Sequence, residues 1–195
     1  QGLDFKRSSS AFIDGFRYNA RTLARHLLER DHGVPFPEQR VASRAADLCA
    51  HVLERAGRTS GLWTQFGYLC DLYVADEDGY RVREELPLAH VETLLPEHEL
   101  AFTLTFEWGA WDGDVFAIER HPSAARADTN VFLHPILRQW QRGRLVATHH
   151  VLEDLFGVYH AAGESGVVRS RGGRDGATDR REGNVGPLGA VFSAA

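Results

Sequence analysis

Phe102-Thr103-Leu104-Thr105-Phe106-Glu107-Trp108 places an apolar side chain at every second position. A period of two is the pattern of a strand with one buried face. Gly109 to Gly113 reads as a turn, and Val115 to Arg120 as a strand returning beside the first. A small and polar loop, His121 to Asn130, leads to a second pair, Leu133 to Trp140 and Leu145 to Val151. Gln141-Arg142-Gly143-Arg144 lies between them, and Gly143 adopts positive φ at little cost. With Arg142-Gly143 as the loop, Trp140 faces Leu145, Arg138 faces Ala147 and Ile136 faces His149. These six side chains then share one face.

Upstream, a third hairpin is expected. Trp63, Phe66, Tyr68 and Leu69 lead into an apolar segment ending at Ala75, which meets Asp76-Glu77-Asp78-Gly79, and Tyr80 to Glu84 alternates on the return. The acidic turn lacks the further oxygen ligands of a calcium loop. Two helices precede it. In the first, Phe16, Ala20, Leu23, Ala24, Leu27 and Leu28 form an apolar stripe expected to face the core, and Gly33 and Pro35 end it. The second runs from about Glu38 to Arg55 with Val41, Ala45, Leu48, Cys49, Val52 and Leu53 inward. Pro87 to Leu95 reads as a short helix, and Glu153 to Phe156 as the opening of another. The fold class is therefore α+β, two N-terminal helices on a mainly antiparallel sheet of about six strands. A single domain over 1–162 is followed by a Gly- and Arg-rich stretch, 163–195, whose central part lacks an apolar period and reads as a disordered tail.

The 195-residue chain is long enough for a substantial core, and its net charge of −5 argues against a nucleic-acid partner. It contains no apolar run long enough to span a membrane and no apolar core of a secretory signal. Cys49 and Cys70 are isolated and read as buried free thiols, which points to a reducing, cytoplasmic setting. The chain has no Met and begins at Gln1, so it reads as a piece of something longer or a processed product.

Several chemistries lack their motif. HExxH, GxSxG, GxGxxG and the Walker loop are all absent from the sequence. His134, His149 and Glu119 are the one trio that could converge on a metal, although satisfied histidines are commoner than ligands. Two groups remain. Arg138, Trp140 and His149 form either a packing cluster or a face that meets an anionic ligand. Gly15, Arg17 and Tyr18 suit the edge of a cofactor site, or equally a capped helix entry against which Phe16 packs.

The wording of Phe12 to Leu23, of Asp31 to Pro37, and of Phe132-Leu133-His134-Pro135 with His149 to Leu155 resembles a bacterial flavoprotein group. The group is the C-terminal region of NAD(P)/FAD-binding oxidoreductases of the pyridine nucleotide-disulfide type. The resemblance implies a redox enzyme using FAD and NAD(P). The dinucleotide-binding portion would lie N-terminal to this chain as its partner, acting on a small-molecule substrate. No catalytic residue carries over. Two other readings stand beside it: a non-catalytic module that binds a ligand or protein on the sheet face, and a His/Glu metal-dependent enzyme.

Overall fold

The computed structural model describes residues 13–42, 44–118, 124–154, 159 and 169–172. The elements in chain order are α1 (Ile13–His32), β1 (Gln39–Val41), α2 (Ala45–Arg58), α3 (Ser60–Thr64), β2 (Leu69–Asp76), β3 (Gly79–Pro87), α4 (Leu88–Leu94), β4 (Ala101–Glu107), β5 (His134–Gln141), β6 (Arg144–His150) and β7 (Arg169–Gly172). The strands form one sheet in the order β1-β3-β2-β4-β5-β6-β7, and every pairing is antiparallel. The α+β class read from the sequence is the fold observed. Of the expected tail, 163–195, only Arg169–Gly172 falls within the described residues, and it is an edge strand on β6.

Alternation sorts the sheet into two faces. Phe102, Leu104 and Phe106 of β4, with Tyr73, Val82 and Leu137, face α2 and α3, which supply Leu48, Val52, Leu53 and Leu62. The opposite face carries a smaller apolar group, Cys70, Leu72, Val74, Ala101 and Trp140, covered by Val91 of α4 and by Leu95. Between and beyond those apolar residues its inward positions on β4 are Thr103, Thr105 and Glu107. The larger core is thus one-sided, and the polar side of β4 is left for other work.

Both tight hairpins form as read. Asp76 pairs with Gly79 across Glu77-Asp78. Gln141 pairs with Arg144 across Arg142 and Gly143, at φ 48 and 78, the two positive values that suit the twist of a two-residue hairpin. Gly33 ends α1 at φ 65, its N–H donating to the Glu29 carbonyl. Cys49 and Cys70 are buried free thiols.

Four expectations are corrected. Val115–Ala117 is a single 3-10 turn, capped by Asp114, whose side chain accepts from the Phe116 N–H. β4 has no edge to offer it, because β2 and β5 already occupy both. The segment expected to begin the second helix instead contains β1, and α2 starts at Ala45. The hairpin register slips by one residue beyond a bulge between Gln139 and Trp140. Trp140 still faces Leu145, but Arg138 faces Thr148 and His149 faces Leu137. A one-residue slip turns every later side chain to the other face.

The fourth correction concerns α1. Its apolar stripe points away from the sheet: Phe16 is 65% exposed, Leu23 57%, Leu28 45% and Leu27 36%. The buried residues are Gly15, Tyr18 and Thr22, on the opposite side of the helix. Polar bonds fix this orientation. The Thr22 hydroxyl donates to the Glu85 carbonyl at 2.8 Å, Arg21 pairs with the Glu85 carboxylate, and Asn19 donates to Gln65 at 3.0 Å.

Candidate functional site

A cluster of polar and titratable side chains lies on one face of β4, β5 and β6. The pairings Thr105↔Ile136↔His150, Thr103↔Arg138↔Thr148 and Glu107↔His134 put these side chains on one side of the sheet. Arg138 grips Glu107 with two parallel bonds of 2.6 and 2.8 Å and reaches Thr105 at 3.0 Å. Burial pushes the Glu107 carboxyl up, but the Arg138 guanidinium outweighs it and holds the group below its ordinary value. Trp140 donates its indole N–H to Thr103 at 2.9 Å.

His134 and His150 form a second unit there. His134 Nδ1 lies 2.7 Å from the Phe132 carbonyl, so it carries the proton and donates. Its Nε2 is then an acceptor, 2.9 Å from His150 Nδ1, which donates to it. The chain of donors ends on the lone pair of His150 Nε2. Burial lowers both imidazoles, and the neighbouring His134 lowers His150 further, to about 4. Both rings are therefore neutral at neutral pH. Asn130 braces the loop before β5, donating to Glu153 and accepting from the Phe132 N–H at 3.0 Å.

The residues singled out in the sequence divide accordingly. Arg138 and Trp140 share this face, but each is committed to a partner in the chain, Glu107 and Thr103. His149 is buried on the helix-covered face and does not join them. His134 meets His150 rather than His149, and Glu119 lies outside the described residues. Among the described residues no three His, Cys, Asp or Glu side chains are arranged to hold a metal ion. At the start of α1, Arg17 is exposed and donates to the Tyr18 hydroxyl at 3.0 Å, with Asp14 3.9 Å away, while Tyr18 is buried. Phe16, expected to pack against this helix entry, is instead exposed.

Sequence reading missed a buried charge cluster on the other face. Asp71 is fully buried and accepts from Arg55 at 2.7 Å and from the Glu85 N–H at 2.8 Å. Glu85 sits at φ 61 in a bulge of β3, and its carboxylate meets both Arg21 and Arg55. These bonds offset the strained backbone and tie α1 and α2 to the sheet. Burial pushes the Asp71 carboxyl up to about 6 despite Arg55. The signal was a charged residue inside the apolar run Leu69-Cys70-Asp71-Leu72-Tyr73.

An FAD cradle needs backbone N–H groups at a glycine-rich turn from a strand into a helix. Among the described residues two α-helices directly follow a strand. β1 leads to α2 through Ala42-Ser43-Arg44, and β3 runs into α4 at Pro87, without a glycine at either junction. An opening of about 960 Å³ at the hairpin ends is lined by charges of both signs, including Asp76, Glu77, Arg142 and Arg144. It offers no apolar slot for a flat ring system. Neither described strand-to-helix junction supplies the glycine-rich turn that would hold the cofactor's phosphates.

The chain defines an α+β unit with a polar patch on one sheet face and no glycine-rich dinucleotide turn at its described strand-to-helix junctions. It is 30% identical over 181 residues to the mouse (Mus musculus) "FAD-dependent oxidoreductase domain-containing protein 2", covering 78% of this chain and 27% of that protein. The zebrafish (Danio rerio) protein of the same name is 28% identical over 175 residues, covering 77% and 25%. The chain is thus a distant relative of proteins named for an FAD-dependent oxidoreductase domain, and it spans about a quarter of their length. Both are vertebrate proteins, whereas the sequence resemblance pointed to a bacterial group. No family model matches the chain, and no solved structure does. No helix among the described residues is long and apolar enough to cross a membrane.

Proposed function

We propose that this chain is the accessory portion of an FAD-dependent oxidoreductase, outside its cofactor cradle. One observation carries the reading: the likeness to flavoprotein-named relatives covers most of this chain but only a quarter of theirs. The absence of a glycine turn at either described strand-to-helix junction agrees with it. The dinucleotide-binding portion would be a separate part of the same longer protein, with a nicotinamide nucleotide as its redox partner and a small molecule as substrate. The His134–His150 pair would then be a fixed, neutral proton-holding unit on the polar face of the sheet, with His134 buried. The sheet face is a weaker ligand site on its own, because Glu107 already neutralises Arg138. Flavin content tests the reading. The complete gene product should purify with bound flavin, and residues 1–195 alone should not. A complete product without flavin would overturn it.

A further inference from the structure

We propose that the outward apolar face of α1 is the surface on which the flavin-binding portion of the longer protein docks. This rests on the reading that the chain is part of such a protein. Phe16, Ala20, Leu23 and Leu27 follow one another at the spacing of a single helix face, and Ala24 and Leu28 widen it. All six are exposed. The helix does not need this face for its own attachment, since Tyr18 and Thr22 bury the other side and Thr22, Arg21 and Asn19 bond to Glu85 and Gln65. A groove of about 310 Å³ runs alongside, lined by Phe16, Leu23, Tyr68, Leu69 and Pro87 among others. Ridge and groove together give a surface into which apolar side chains from another element fit.

The size of the face decides what covers it. The exposed apolar side chains of α1 present roughly 400 Å², the scale of a functional patch on a soluble domain. Two copies pairing through this face would bury roughly 800 Å² in total, short of the ~1,200 Å² at which stable associations begin. Contacts of that size suffice between parts of one polypeptide, where interfaces of roughly 600–1,500 Å² are usual and the tether removes most of the entropic cost of association. The relatives carry about three-quarters of their length outside the matched region. The occupant is accordingly an apolar element of that remainder, covalently linked, rather than a second copy.

Amide exchange along α1 tests this, comparing residues 1–195 with the complete gene product. Exchange at Ala20 to Leu28 should slow by roughly tenfold or more in the complete protein, as docking suppresses local opening. Leu23→Gln should restore the faster exchange there while leaving the unfolding midpoint of residues 1–195 unchanged, a readout that a core position would not give. Equal exchange in the two proteins, with flavin bound to the complete one, sinks the docking proposal and leaves the flavoprotein reading standing. A complete product without flavin sinks both. Dimeric residues 1–195 at micromolar concentration, made monomeric by Leu23→Gln, would assign the face to a second copy and overturn the proposal.

Discussion

Replacing Asp71 with Asn should leave the protein at least as stable at pH 7, although it removes half of a buried ion pair. Burial is the larger influence on this carboxyl and raises it to about 6, against 3.8 in the unfolded chain. A raised folded value means that the group's stabilising contribution is fully present below pH 3.8. It is lost as pH rises through 6, because the folded state alone holds the proton in between. The shift of about two units corresponds to ~3 kcal/mol. Asn cannot ionise, and its carbonyl oxygen still accepts from the Glu85 N–H. Arg55 keeps Glu84 at 3.3 Å and Glu85 at 3.5 Å, so its charge is not stranded. Arg55→Met is the contrasting variant. It leaves Asp71 and Glu85 without their shared cation and should cost about 3–5 kcal/mol at pH 7. Urea unfolding of the parent chain and both variants from pH 4 to 7 reads these effects directly. The parent should lose about 3 kcal/mol relative to Asp71→Asn across that range. A parent chain that gains on Asp71→Asn as pH rises would refute the argument, showing that Arg55 outweighs burial.

Two further outcomes follow from local geometry. His150 has the opposite sign to Asp71: burial and His134 lower it to about 4, so its contribution is full above pH 6.5 and is lost as pH falls through 4. His150→Asn keeps a donor for His134 and should reduce acid destabilisation between those values by about 2–3 kcal/mol, measured by unfolding at pH 7 and pH 4. Gly109→Ala should destabilise by about 3 kcal/mol or more in thermal or urea unfolding, because backbone cannot yield as a side chain end can. A Cβ there would lie 1.8 Å from the Asn130 carbonyl oxygen.

Strands were legible where apolar and polar side chains alternate, although Thr103 and Thr105 show that the polar face of β4 is buried as well. β4 announces itself in Phe102, Leu104 and Phe106, and Gly143 marks the second tight turn, where Arg142 beside it also takes a positive φ. The bulge before Trp140 has no sequence mark, and it separated His149 from Arg138 and joined His150 to His134. The α1 stripe shows a different limit. Periodicity states that a helix has an apolar face, not that the face is turned inward. Here the bonds of Thr22, Arg21 and Asn19 to Glu85 and Gln65 decide the orientation, and they join residues distant in the sequence. Val115 to Arg120 has strand-like composition, but the neighbouring edge of β4 was already taken, which is a matter of topology.

Flavin stoichiometry bears most directly on the assignment. Residues 1–195 and the complete gene product are purified in parallel, and released flavin is quantified by absorbance against protein. The account predicts stoichiometric flavin in the complete product and essentially none in residues 1–195. Stoichiometric flavin in residues 1–195 would contradict it, placing a complete cofactor site inside this chain.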